Sequence, residues 1–334
     1  ECNFKNYLFE ILVLFMKQII TLFLIFGLFA PVSLSAQSPR YLIEFTDKDT
    51  LNNPYSVEKP GEFLSQKSIE RREKQNIKVV LEDLPLSEHY VDSIENVGVE
   101  VQNRSRWLNS VVGKVDSTLI DSLVQMSFIE NITFVAPPKT ISKESEKDGT
   151  QHIEITTKLQ EKKEKIDSTT YGYAKNQVLM LNGNYLHEKG YQGAGKTIAV
   201  IDAGFLMSDT ISVFDELWNN GQILGQRNFE EPGHDIYQKG NSSHGTYVFS
   251  IIGARMPGIF YGTAPKADFW LLRSEVASSE YLIEEYSWVA AAEFADSAGV
   301  DIINTSLGYT TFNDSTQNHT YADMDGESTV VSRA

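Results

Sequence analysis

Hydrophobic and polar positions change their period several times along the chain, and each change predicts an element. Residues 41–45 (Tyr-Leu-Ile-Glu-Phe) alternate as a strand. Residues 65–75 (SQKSIERREKQ) read as a polar helix with little apolar face, and 77–81 as a short strand. The spacing of Tyr90, Val91, Ile94 and Val97 predicts a helix over 87–97. Strands are expected at 99–102 and 107–115, flanking Asn103-Arg104-Ser105-Arg106. A helix over 118–126 turns Leu119, Ile120 and Leu123 inward, and 128–135 forms a closing strand. The order β-α-β-β-α-β with one extra helix predicts a small ferredoxin-like α+β sandwich. Such a sandwich names no function.

The pattern then lapses. Pro137-Pro138 ends the first region, and 139–167 is dense in Lys, Glu, Ser and Thr around Glu161-Lys-Lys-Glu-Lys165, as a charged linker over 137–170 would be. Periodicity resumes from Tyr171, with a helix expected over 176–188 before Gly190. Residues 196–201 (Lys-Thr-Ile-Ala-Val-Ile) form a continuous apolar run, as strands buried on both faces of a parallel sheet do. Further strands are expected at 269–273 and, buried, at 300–304, with a long helix over 280–298 between them. Alternating strands and helices predict an α/β doubly wound, mostly parallel sheet over 171–334.

The N-terminus carries a different message. From Met16 the chain reads Lys17, an apolar run from Ile19 to Ala30, then Pro31 and the small residues Ser33-Leu34-Ser35-Ala36. That is the pattern of a signal peptide over 16–36. As a membrane anchor, the stretch from Leu8 to Leu34 would bury Glu10, Lys17 and Gln18 at high cost, so no stable anchor is expected. Residues 1–15 are expected to be upstream sequence read through into the frame.

The whole chain has 334 residues, 29 Lys+Arg against 45 Asp+Glu and a net charge of −16. Removing 1–36 takes out two acidic and two basic residues, so the mature charge is unchanged. Such acidity argues against nucleic acid as a partner. Cys2 is the single cysteine and precedes the expected cleavage site, which excludes a disulfide framework and a Cys-x-x-Cys metal site. An exported, working chain needs neither.

Three motifs carry candidate chemistry. Asp202 follows the apolar strand in Ile201-Asp202-Ala203-Gly204, at the carboxyl edge where open α/β sheets place their sites. Gly193-Ala194-Gly195 precedes that strand rather than following it, the wrong position for a dinucleotide fingerprint. In Ser242-Ser243-His244-Gly245-Thr246-Tyr247-Val248, helical spacing after His244 puts the imidazole in a first helical turn, with Ser243 as the expected cap. Gly245 leaves room for another backbone. An aspartate bonded to one imidazole nitrogen leaves the other to take a proton from a hydroxyl nucleophile. In 301–308, a strand runs into Thr305-Ser306-Leu307-Gly308, an edge on which an extended peptide can pair.

Together Asp202 in IDAG, His244 in SSHGTYV, Gly262-Thr263-Ala264-Pro265 and Asn304-Thr305-Ser306-Leu307-Gly308 resemble the subtilisin-type serine endopeptidases, in the family's order across 171–310. The resemblance implies that Asp202 orients, that His244 is the general base, and that Ser306, Leu307 and Gly308 line the substrate strand and the first specificity pocket. It also implies that 37–136 is an inhibitor-like propeptide and 171–334 the N-terminal part of a catalytic domain. Ala203 and Tyr247 depart from the usual pattern at positions where the family tolerates change. The family's Gly-Thr-Ser-x-Ala nucleophile motif and its oxyanion asparagine do not occur in this sequence and are expected beyond Ala334; Ser328, the nearest serine in context, lacks the helix pattern that follows the nucleophile. Asp323, Asp325 and Gly326 could start a calcium loop, but their acidic ligands are too few and a polar loop is the expectation; structural calcium stays open and unsupported, and no cofactor is expected for the chemistry. Protein or peptide substrates, an exported location and an intramolecular propeptide inhibitor follow from the resemblance. A non-catalytic relative, using the same fold to bind peptides or assist folding, is the competing expectation.

Overall fold

Alternation at the start of the chain gives a strand with two useful faces, and the fold of the first region is built on both. The computed structural model describes residues 38–138 and 169–334. The expected signal peptide, the residues before it and most of the expected linker lie outside the described residues. Strand β1 (Arg40–Phe45) is followed by helices α1 (Gln66–Gln75) and α2 (Glu88–Asn96). Strands β2 (Glu100–Ser105) and β3 (Ser110–Lys114), helix α3 (Ile120–Val124) and strand β4 (Ile129–Ala136) complete it. The strands pair antiparallel in the order β2-β3-β1-β4, the ferredoxin-like arrangement that the element order predicts.

One face of this sheet buries Ile43, Phe45, Val111 and Val115 against Val91 and Ile94 of α2 and Leu123 of α3. Its other face carries Leu42, Val112, Val135 and Ala136 and has no helix of its own to cover it.

The residues 77–81 do not form a strand. Arg72 in α1 grips the Asp83 carboxylate through both terminal nitrogens, at 2.8 and 3.0 Å, and Val80 N–H donates to Asp83 Oδ2 at 3.0 Å. These bonds curl the segment into a short 3-10 turn over Leu81–Asp83. Likewise the hairpin between β2 and β3 turns at Arg106–Asn109, later than the sequence pattern placed it, because Asn109 takes the left-handed conformation at φ 49°.

In the second region, the helix expected over 176–188 is broken in two, α4 (Lys175–Met180) and α5 (Gly183–Glu188), by Asn182 at φ 54°. Then come β5 (Thr197–Asp202), α6 (Asp215–Asn219), β6 (Ile223–Asn228) and α7 (His244–Gly253). A short hairpin, β7 (Arg255–Met256) and β8 (Phe260–Tyr261), precedes β9 (Asp268–Arg273). Helix α8 (Ile283–Ser297), β10 (Ile302–Thr305) and α9 (Val330–Arg333) follow. The sheet order is β10-β5-β9-β6, parallel throughout. Every residue of β5 is buried, as its continuous apolar run requires. β10, in contrast, is an edge strand with Ile302 and Ile303 exposed, rather than the buried strand expected at 300–304.

Helix α8 joins the two regions. Its Ile283, Tyr286 and Val289, with Val330 of α9, cover the second face of the antiparallel sheet. Farther along, Glu293 accepts from the backbone N–H of Arg106 at 2.9 Å, that of Trp107 at 3.1 Å and the Ser105 hydroxyl. Asp296 accepts from Arg72 at 2.7 Å, Arg106 at 3.1 Å and Arg71. Among the described residues, no helix is long and apolar enough to cross a membrane.

Candidate active site

β5 ends on Asp202 at the carboxyl edge of the parallel sheet, where the chain must leave its ladder. Gly204 makes that exit at φ 147°, and a Cβ there would lie 2.7 Å from Ser242 N. The loop beyond β6 returns to the same edge and enters α7 at His244. The hydroxyl of Ser242, not Ser243, receives the His244 N–H at 3.1 Å. His244 is thereby held in the first turn of a helix whose Phe249 anchors in the core.

The two side chains meet. His244 Nδ1–H donates to Asp202 Oδ1 at 2.8 Å, and the same oxygen accepts from Ala203 N–H at 2.7 Å. The Asp202 side chain is fully buried, whereas that of His244 is 52% exposed. Burial pushes the Asp202 carboxyl above its ordinary range, and the bonds from His244 and Ala203 work against that shift. Helix and strand come this close because position 245 is glycine. A Cβ on Gly245 would lie 2.3 Å from Gly204 O and 2.9 Å from Asp202 Cβ. Thr246 adds a bond from its hydroxyl to Leu206 O at 2.8 Å, fixing the loop after Asp202 to the same helix.

Ser306, Leu307 and Gly308 follow β10 at the same edge of the sheet as Asp202. Ser306 and Gly308 are exposed, and Leu307 packs half-buried beside Ala199, Ile201 and Leu272. Ser328 lies elsewhere in the chain's bonding: its hydroxyl donates to Asp325 Oδ2 at 2.6 Å, and Asp325 Oδ1 takes the N–H groups of Glu327 and Ser328. Asp323 accepts from Thr320 N–H at 2.6 Å. The carboxylates of the 323–326 segment therefore serve their own loops. No group of three or more His, Cys, Asp or Glu suited to hold a metal ion occurs among the described residues.

Residues without a motif complete this edge. Arg273, at the end of β9, donates to Asn241 Oδ1 at 2.9 Å and to Glu275 O at 3.1 Å, tying the loop before His244 to the sheet. Ser274 N–H donates to Asp202 O at 3.1 Å, which sets Glu275 next to the edge that carries Asp202. Burial, with Glu280 and Asp202 adding to it, pushes the Glu275 carboxyl up to about 7, while the Tyr309 hydroxyl and His244 oppose the shift. A polar residue directly after a buried strand was the available signal for Glu275; nothing local marks Asn241.

Both regions of the chain match known families. Residues 40–152 match the family model for the peptidase S8 propeptide domain of Bacteroidota, and 193–332 match that of the subtilase family, peptidase S8. Subtilisin E of Bacillus subtilis is 26% identical over 219 residues, covering 65% of this chain and 46% of that protein. Subtilisin of Bacillus pumilus is 32% identical over 125 residues, 37% of this chain and 41% of that protein. The chain thus spans less than half the length of these relatives. The structure of the epidermin leader peptide processing serine protease from Staphylococcus aureus aligns at 16% identity with a TM-score of 0.45, over 81% of this chain and 50% of that one. The chain pairs a peptidase S8 propeptide domain with a domain of the subtilase family.

Proposed function

We propose that this chain belongs to an exported serine endopeptidase made as a zymogen, with Asp202 and His244 as two members of its catalytic triad. The bond of 2.8 Å between His244 Nδ1 and the buried Asp202 carries this reading. A carboxylate on Nδ1 fixes the tautomer and orientation of the ring, and leaves Nε2 to take the proton of an attacking hydroxyl. The Asp202 carboxylate then stabilises the imidazolium that forms, in a setting where burial strengthens the interaction. The hydroxyl nucleophile is not among the motifs of 1–334, in which no Gly-Thr-Ser-x-Ala stands. The exposed edge at Ser306–Gly308 receives the extended substrate by backbone pairing.

The propeptide reading rests on the contact with α8. Residues 38–138 cover a helix of the subtilase domain with apolar and charged contacts, and Gln317 donates to Phe134 O at 3.2 Å near the end of β4. From Ala136 the chain can pass along the substrate edge before cleavage within 139–170 releases it. Export is supported by the basic start, apolar centre and small-residue end of 16–36.

The test is hydrolysis of a chromogenic peptide by the full-length protein and its block by a fluorophosphonate. Loss of turnover in His244→Ala is the expected result. Turnover that survives His244→Ala, or a fluorophosphonate adduct on Ser328, overturns the assignment.

A further inference from the structure

Helix α1 is too polar to be held by its own domain. Over its 10 residues it buries only Ser68 and Arg72. It contributes no residue to the apolar core of the propeptide, which α2 and α3 cover. An isolated helix of this length is marginal in water. Within the propeptide, Ser65 caps it by accepting from Ser68 N–H at 3.1 Å, and Arg72 grips Asp83. Lys67, Arg71 and Arg72 all reach out to the subtilase domain.

What they meet is the C-terminal end of α8. Gly299, at φ 75°, closes that helix: its N–H donates to Asp296 O at 3.0 Å and Val300 N–H to Ala295 O at 3.0 Å. Ser297 O, at the last residue of α8, accepts from the Ser65 N–H at 2.9 Å. The positive end of one helix dipole therefore meets the negative end of the other. Arg71 donates to Val300 O at 2.8 Å and pairs with Asp296, and Arg72 pairs with Asp296 at 2.7 Å. Arg106 adds a third guanidinium to Asp296 at 3.1 Å, and all three belong to 38–138. Lys67 reaches Asp301 at 3.2 Å and the Thr197 hydroxyl. The fit is close, since a Cβ on Gly299 would lie 2.6 Å from Ser68 N.

This contact stands at the opposite end of β5 from Asp202. α8 takes the chain from β9 back to the start of β10, whose Ile302 pairs with Ile198. Asp301 N–H donates to Thr197 O at 2.9 Å, and the 6 residues of β5 put Thr197 about 16 Å from Asp202. A hold on α1 here neither needs nor blocks the edge that carries Asp202 and His244.

We propose that the C-terminal end of α8 is a docking site for a paired-arginine helix, that α1 is its ligand, and that this hold keeps the propeptide on the subtilase domain separately from any hold at the catalytic edge. A chain cut in the linker then keeps its propeptide until α1 lets go. The catalytic reading is not needed for this, because neither Asp202 nor His244 takes part.

The experiment uses the full-length protein with His244→Ala, cut only by an added protease at a recognition sequence placed within 139–168. Gel filtration across a dilution series reads how tightly the cut protein retains 38–138. Arg71→Ala should weaken retention by about 30-fold, and Asp296→Ala by at least as much. The double variant should lose less than the product of the two, since both substitutions remove the same pair. In Asp296→Ala, hydrogen exchange over 69–75 should quicken by about tenfold or more while 91–96 stays as in wild type. Unchanged retention in both variants, fully multiplicative losses, or equal quickening of both segments overturns the site. With His244 restored and the propeptide removed, kcat/KM on a short peptide should be the same in Asp296→Ala as in wild type. A fall of more than about threefold overturns the separation from the catalytic edge. Should wild type cleave no peptide, the protease reading fails by itself, and the retention measurements still decide the site.

Discussion

Asp202 and Glu293 are both buried carboxylates that accept several hydrogen bonds, yet the sources of those bonds set them to different tasks. Asp202 takes its two donors, Ala203 N–H and His244 Nδ1–H, from its own domain, and its Oδ2 atom has no partner among the described residues. Glu293 takes Ser105, Arg106 and Trp107 entirely from the propeptide hairpin. Burial raises both carboxyls, and in both the bonded donors counter it. A carboxylate served by its own domain orients a neighbour permanently. One served by the propeptide domain holds that domain, and would be left with unmet acceptors on its release.

The comparison is broken most severely at the histidine. His244→Ala in the full-length enzyme should lower kcat/KM by about 10⁴-fold or more, and Asp202→Asn by somewhat less, because the base remains but its orientation and charge balance are lost. Steady-state hydrolysis of a single peptide measures both; a loss below tenfold for either would separate this pair from catalysis.

At the other carboxylate the effect should fall on docking and spare catalysis. Glu293→Ala strands two backbone N–H groups and the Ser105 hydroxyl, a loss of about 3–5 kcal/mol or roughly 10²–10⁴-fold in affinity. Titration calorimetry of released 38–138 against the processed enzyme reads this directly. Unchanged affinity would show that the apolar contacts of Leu42, Val112 and Val135 carry the interface alone.

Glu284 sharpens the contrast, since it is buried with less relief than either. Its carboxyl is raised from the ordinary 4.5 to about 10 by burial, then by Glu280, Glu275 and Glu230. The folded chain therefore holds a proton there that the unfolded chain loses, so this group costs stability increasingly as pH climbs from its unfolded value toward its folded one. Glu284→Gln imitates the protonated form. Its Tm should gain on wild type between about pH 5 and pH 8, and a constant difference across that range would contradict the assignment.

The smallest effect is expected at Lys67, which reaches Asp301 at 3.2 Å across the same interface but is partly exposed. Lys67→Ala should weaken docking by less than about 1 kcal/mol. Burial raises the Asp301 carboxyl, but Lys196, Thr197 N–H and Lys67 together outweigh it and hold it below its ordinary 3.8. Its contribution is thus complete at neutral pH and is lost only as pH falls through that lowered value. Calorimetry at neutral and acid pH checks both statements.

Much of this architecture was legible because period and burial agree where an element is amphipathic or wholly buried. β5 and α7 follow from Ile198–Ile201 and from the spacing after His244, and the ferredoxin-like order follows from alternation in β1 and the apolar stripe of α2. β6 escaped, since Ile223-Leu-Gly-Gln-Arg-Asn228 lies at a sheet edge, mixes exposed with buried positions and shows no clean period. The run at 77–81 misled for the opposite reason. Its Ile77, Val80 and Leu81 look like a strand but remain exposed, because Arg72 pulls Asp83 into a turn before any strand can pair.

The sequence by itself determined the elements that carry local chemistry: a buried strand ending on Asp202, a helix opening on His244, and a glycine at 245 that lets the two approach. These follow from residue type and spacing over a few positions. Only the tertiary structure decided which distant charged groups meet. Glu230 follows strand β6 and Glu284 lies in the first turn of helix α8, and Arg40 reaches Glu230 across 190 residues of chain. No period or motif encodes that meeting, because the attraction between charges depends on separation and burial in space, and both are set only once the two sheets have packed against α8.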